Sequence, residues 1–208
     1  MSDAAARARA ILTEARAIVT DSHIVYTSGK HGSAYVNKDA VYPNTARVAE
    51  LCRFLADAAA PHRPEVVCGP AMGGIILAQW TGNHLGLPAV YAEKSPDGGM
   101  TLRRGYDKLV AGKRVLVVED VLNTGGSVRE AVGAVRAAGG DPVVVAALVN
   151  RGGVTAADVG VPALVALLEV ELDAWDAATC PLCRDGVPVN TDVGKGREFL
   201  AKRRGGVT

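Results

Sequence analysis

From residue 65 onward, short apolar runs alternate with longer stretches whose apolar residues recur every three or four positions. Short runs of this kind are buried strands, and the three-to-four spacing is that of a helix with one buried face. Glu65 to Cys68 reads as a strand ending at Gly69-Pro70, and a helix is expected from about Gly74 to Leu85. Pro88 to Tyr91 is the next strand, and Arg114 to Val118 is the most apolar one. Residues 126–138 read as a helix stopped by Gly139-Gly140, with further strands at Val143 to Val149 and Ala163 to Leu168. Strand and helix in alternation imply an α/β fold, a mainly parallel sheet flanked by helices.

The pattern differs upstream. Ala10, Ile11, Ala15 and Ile18 have helical spacing and predict a helix over residues 3–19. Ile24-Val25-Tyr26 and Ala34-Tyr35-Val36 flank Ser28-Gly29-Lys30-His31-Gly32 and predict a hairpin. Asn44 is placed to cap a helix carrying Val48, Leu51, Phe54 and Leu55. Residues 94–113 are polar and contain glycine, which predicts a mobile loop or a β-arm. The stretch from Lys195 to Thr208 is basic and glycine-rich and is expected to fray.

Composition narrows the class. The 208 residues are 49% hydrophobic but only 4% aromatic, so the core is built from aliphatic side chains, as suits a covered parallel sheet. That length suits a single domain, residues 1–208. A net charge of +1 does not fit a nucleic-acid binder. No apolar run approaches the ~20 residues of a membrane span, and no signal-peptide pattern opens the chain, so a cytoplasmic setting is expected. The four cysteines are then thiols. Cys52 and Cys68 lie in apolar runs and read as buried. Cys180 and Cys183 form an isolated CxxC with no second ligand pair in the sequence. A metal-free loop is the preferred reading, with a site shared between subunits as the other possibility.

The segment that carries chemistry runs from Val115 to Ser127. An apolar strand ends in Glu119-Asp120, and Val121-Leu122-Asn123-Thr124-Gly125-Gly126-Ser127 then leads into a helix. A glycine turn at a helix start aims backbone N–H groups at an anion, and ligands of open α/β sheets bind beyond the strands' carboxyl ends. Two carboxylates beside a phosphate cradle suit sugar hydroxyls or a hydrated divalent cation. The glycines form neither a Walker loop nor GxGxxG. Asp120 is expected to stay within reach of solvent. Cys68-Gly69-Pro70-Ala71-Met72-Gly73-Gly74 forms a second anion-binding turn at a strand end.

Glu119 to Ser127 resembles the motif by which type I phosphoribosyltransferases bind 5-phosphoribosyl-1-pyrophosphate (PRPP). The resemblance implies the type I fold, with a hood over residues 20–42, a PRPP-binding core over 60–170 and a C-terminal extension over 171–208. It also implies that Glu119 and Asp120 hold the ribose hydroxyls and that Thr124 to Ser127 hold the 5-phosphate. Mg²⁺ would ride on PRPP and water rather than on protein ligands, and Pro70, Ala71, Met72, Gly73 and Gly74 would receive the pyrophosphate.

The run Tyr26 to Asn37 resembles the N-terminal hairpin of orotate phosphoribosyltransferases. That implies orotate binding by Lys30, Tyr35, Asn123 and Arg151, with Arg151 on the carboxylate. Lys94, Arg103 and Asp120 are the implied catalytic residues. Residues 94–104, with Arg104, match a mobile loop that crosses into the partner of a homodimer. Some family features differ. Met72-Gly73 replaces a Tyr-Lys, the Lys-x-His-Gly of the loop is missing, Asn123 stands where Thr is usual, and Thr27 replaces a lysine. A purine or another pyrimidine as the base, or a PRPP-sensing regulator without turnover, are the alternatives.

Overall fold

The computed structural model describes residues 3–170 and 173–205. The elements in chain order are α1 (Asp3–Glu14), β1 (Ile18–Val19), β2 (Ile24–Val25), β3 (His31–Gly32), β4 (Tyr35–Val36), α2 (Thr45–Ala59) and β5 (Val66–Pro70). Then come α3 (Gly73–Leu85), β6 (Ala89–Lys94), β7 (Met100–Thr101), α4 (Tyr106–Val110), β8 (Arg114–Leu122) and α5 (Gly126–Ala137). The chain continues through β9 (Asp141–Asn150), α6 (Ala156–Val159), β10 (Leu164–Glu169), α7 (Pro181–Arg184) and α8 (Gly196–Gly205). These residues form two compact units, one of residues 3–8 and 44–170, the other of 9–43 and 173–205.

The larger unit is built on a six-stranded sheet in the order β10-β9-β8-β5-β6-β7. All neighbours run parallel except β7, which returns antiparallel to β6. β5 pairs directly with β8, with Cys68 opposite Val117, so two strands far apart in sequence run side by side. The central strands β5, β8 and β9 are buried along nearly their whole length, and Val144 to Val149 of β9 read as a continuous apolar run. Sheets covered on both faces need such runs. Asn44 caps α2 by accepting the Arg47 N–H at 3.1 Å, and Val48, Leu51, Phe54 and Leu55 are all buried.

β8 runs further than its apolar stretch, through Glu119 and Asp120 to Leu122, because its last residues still pair with β9 up to Asn150. The segment after Lys94 is not one long loop. A tight turn, with Ser95 donating to Gly99 and Gly98 to Ser95, folds β7 back on β6, and α4 follows.

The smaller unit corrects three expectations. The first helix ends at Glu14, and Ile18 lies in β1 instead. Arg16, at φ 55°, turns the chain between them. The hairpin pairs β2 with β3, so its second arm is His31-Gly32, while Tyr35-Val36 pairs with Ile18-Val19. Residues 196–205 form α8 rather than fraying, held through Lys195 N–H to Val25 O at 2.7 Å; residues 206–208 lie outside the described residues. The C-terminal segment thus packs with residues 9–43 as one body.

Candidate active site

A cavity of about 380 Å³ opens at the carboxyl end of β8. It is lined by Glu119, by the turn Leu122 to Gly126, and by Ser127, Val128 and Glu130 of α5. Gly125 precedes the helix at φ 71°, a conformation that costs a side-chain-bearing residue free energy. A Cβ there would also meet Val159 at 2.9 Å and Val154 at 3.1 Å. The turn therefore takes glycine, and the N-terminus of α5 faces the cavity with its positive dipole end. Thr124 and Ser127 contribute hydroxyls to the lining.

The two acids are not equivalent. Successive residues of a strand point to opposite faces. Glu119 is 7% exposed and lines the cavity, whereas Asp120 is 2% exposed and does not. Glu119 Oε1 accepts the Asp120 N–H at 3.0 Å, and Asp120 Oδ1 accepts the Val121 N–H at 2.7 Å. Asp120 is thus enclosed, against the expectation that it stays within solvent reach.

The neighbouring turn follows β5. The Ala71–Met72 peptide is cis, Ala71 donates to Ala92 O at 2.8 Å, and Met72 stands 81% exposed. A Cβ on Gly69 would lie 2.0 Å from Gly74 O, and one on Gly74 would lie 2.6 Å from Pro70 Cδ. Only two glycines allow strand and helix to approach this closely. β5 pairs with β8 as far as Cys68 and Val117, so the two turns follow neighbouring strands of the sheet.

Arg151 follows the carboxyl end of β9. Its N–H donates to Leu122 O at 2.9 Å, fixing it beside the cavity turn. Asn150 locks the same loop: its amide donates to Val154 O at 3.0 Å and accepts the Val154 N–H at 3.1 Å. Arg151 Nε is buried without a hydrogen-bond partner among the described residues. A buried donor left this way favours a ligand acceptor. Gly152 passes so close to the turn that a Cβ would lie 1.5 Å from Asn123 O.

Lys94 ends β6 and reaches Glu130 Oε2 at 2.6 Å. Arg103 and Arg104 pair with Glu93 at 3.7 and 3.3 Å, so both turn toward β6. Glu130, Asn150 and Gly152 escaped the sequence reading. Glu130 is 36 residues from its partner Lys94, and no local pattern announces it. Lys30 and Tyr35 belong to the smaller unit. Lys30 Nζ lies 3.9 Å from Asp176 Oδ1, and Tyr35 is half-buried in β4 opposite Val19.

The CxxC that stands alone in the sequence has neighbours in the fold. In the smaller unit Cys180 and Cys183 meet His23 and His31, and the four ligand atoms all lie within 4.8 Å of one another.

Comparison with known proteins identifies the scaffold. The family profile described as a phosphoribosyl transferase domain matches residues 37–162. This chain belongs to the phosphoribosyltransferase family. Its relatives include the orotate phosphoribosyltransferase of Caldanaerobacter subterraneus, 38% identical over 174 residues, covering 83% of this chain and 88% of that protein. The orotate phosphoribosyltransferase of Pelotomaculum thermopropionicum is 43% identical over 166 residues, 80% of this chain and 85% of that one. Among solved structures, the Mycobacterium tuberculosis orotate phosphoribosyltransferase in complex with PRPP superposes with a TM-score of 0.61 at 26% identity. It covers 81% of this chain and 96% of that one. The fold is therefore the type I phosphoribosyltransferase α/β fold. Among the described residues no helix is long and apolar enough to cross a membrane.

Proposed function

We propose that this enzyme transfers 5-phosphoribose from PRPP to orotate, giving orotidine 5'-monophosphate and pyrophosphate for pyrimidine synthesis. The observation that carries the choice of base is Arg151, anchored to the cavity turn with a buried, unpartnered Nε. A planar guanidinium suits a carboxylate through paired hydrogen bonds, and orotate carries one where uracil does not. Relatives named orotate phosphoribosyltransferases over most of the chain support the same choice.

The turn Thr124 to Ser127 and the α5 N-terminus take the 5-phosphate, and Glu119 accepts from the ribose hydroxyls. Asp120 supports Val121 from behind. The turn Pro70 to Gly74 takes the pyrophosphate. The cavity offers oxygen ligands from Glu119, Asn123, Thr124, Ser127 and Glu130 and no thiol or imidazole, which fits Mg²⁺ carried on PRPP and water. Bound there, Mg²⁺ would supply neutralising charge to the pyrophosphate oxygens.

The bond from the anomeric carbon to the pyrophosphate oxygen breaks as the base nitrogen bonds to that carbon. Negative charge grows on the leaving group, and Lys94 turns from Glu130 to meet it, assisted by Arg103. Asn123 contributes to the base site beside Arg151, and closure of the 94–104 arm excludes water. A homodimer that shares this arm, and a cytoplasmic setting that keeps four cysteines reduced, belong to the same reading.

The test is loss of orotate absorbance with PRPP and Mg²⁺, run beside uracil, adenine, guanine and hypoxanthine. Turnover of orotate alone is expected, and Arg151→Ala should raise the orotate KM by about 10²-fold. Turnover of a purine with none of orotate would overturn the choice of base. Tight PRPP binding with no turnover of any base would favour a sensor.

A further inference from the structure

The geometry points to a structural zinc site in the smaller unit, formed by His23, His31, Cys180 and Cys183. The ligands come from two places roughly 150 residues apart. His23 lies just before β2 and His31 begins β3, and the pairing of Val25 with His31 brings both rings to one side. Cys180 caps the first turn of α7 and Cys183 lies three positions later, so both sulfurs share one face.

The separations fit one ion. Tetrahedral zinc holds sulfur at about 2.3 Å and nitrogen at about 2.05 Å, which puts a sulfur and a nitrogen about 3.5 Å apart. The observed distances are 3.7 Å from Cys180 Sγ to His23 Nε2, 3.6 Å from Cys183 Sγ to His23 Nε2, and 3.3 Å from Cys183 Sγ to His31 Nδ1. The two ring nitrogens stand 2.8 Å apart and need to open by about half an ångström for the same ion. His23 Nδ1 lies 2.8 Å from Val187 O. A proton on Nδ1 makes that bond and leaves the Nε2 lone pair facing the cluster, the usual arrangement behind a zinc-bound histidine.

Charge and chemistry select the ion. His23, His31 and Cys180 are buried and Cys183 half-buried. Two thiolates and two neutral imidazoles cancel a dication, so the filled site carries no net charge into the interior, and binding releases the two thiol protons to solvent. Mixed sulfur and nitrogen donors in a tetrahedron select zinc over magnesium or calcium. Four protein ligands leave no open position, which marks the site as structural.

The unit has reason to need such a clip. Its strands β1 to β4 are two residues long each, and bodies this small rarely hold together on apolar burial alone. The zinc would tie the 23–32 hairpin to the C-terminal segment.

Full-length protein purified without chelators should contain about one zinc per chain by plasma mass spectrometry. Cys183→Ser and His31→Gln should each cut the zinc content at least fivefold, while His84→Gln, outside the cluster, keeps it. Wild-type protein refilled with Co²⁺ should give a tetrahedral visible spectrum with a thiolate charge-transfer band, a readout that stands even where the variants do not fold. Zinc-free wild type that takes up no added Zn²⁺ against a chromophoric chelator would overturn the site. So would an octahedral cobalt spectrum, or zinc retained in a Cys180→Ser/Cys183→Ser double variant. None of these readouts depends on which base is turned over.

Discussion

The ammonium of Lys94 lies 2.6 Å from Glu130 Oε2, so the cation at the end of β6 is held by a residue that lines the cavity at the end of β8. Both side chains keep solvent contact, 65% and 36% exposed, and an ion pair of this kind is worth about 0–1 kcal/mol. It parks the lysine without trapping it. Lys94→Ala should lower kcat by about 10²-fold or more while changing the PRPP KM far less, because the lost charge is needed as pyrophosphate departs. Glu130→Gln releases the lysine and should shift the PRPP KM by no more than about fivefold. Steady-state kinetics against PRPP at saturating orotate read both.

Glu119 and Asp120 should separate by assay. Glu119→Gln is expected to weaken PRPP binding about tenfold in calorimetry with Mg²⁺ and to leave the melting temperature nearly unchanged. Asp120→Asn should do the reverse. It disturbs a buried acceptor of the Val121 N–H and should cost about 1–3 kcal/mol in urea unfolding. Equal losses of PRPP affinity in the two variants would show that both acids face the sugar.

Gly152→Ala is expected to displace the Asn123 carbonyl, since the added Cβ would sit 1.5 Å from that oxygen. The outcome is a stability loss of about 2–4 kcal/mol together with weakened PRPP binding. Gly153→Ala is a milder control in contact terms, because nothing lies within 4 Å of its Cβ, though its φ of 62° carries a smaller cost.

Burial pushes the thiols of Cys52 and Cys68 up to about 12, with the Ala92 backbone opposing the rise at Cys68. The native state then keeps both protons, while the unfolded chain loses them from its ordinary value near 9. Above that value the unfolded state binds fewer protons, so stability falls as pH rises toward 12, by up to about 1.4 kcal/mol per pH unit for each thiol. Urea midpoints should decline from pH 9 to 10.5, and Cys52→Ala should flatten the decline. At pH 8 neither thiol should react with iodoacetamide until the protein unfolds.

What was legible in the chain was what is local. The β8–turn–α5 segment stood out because an apolar run, two acids and adjacent glycines lie within a few residues, and the cavity forms there. β8 itself extends beyond its legible apolar run, because Glu119 and Asp120 break an apolar pattern that the ladder with β9 ignores. The small unit was read poorly because two-residue strands carry no period, so Tyr35-Val36 paired with Ile18-Val19 rather than with the run beside them. The histidines facing Cys180 and Cys183 were hidden by distance along the chain. The two ligand pairs are each local, but 157 residues separate His23 from Cys180, and ligand spacing is recognisable only when the pairs also lie near one another along the chain.

The bare backbone at Gly152, pressed against Asn123, has an evolutionary corollary. The residue proposed to select the base, at 151, and the residue that leaves room for the Asn123 carbonyl, at 152, are consecutive yet under different constraints. A lineage drifting toward another nucleobase can exchange the first freely. It must leave the second naked, so new specificities should arise around an unchanged hinge of glycine.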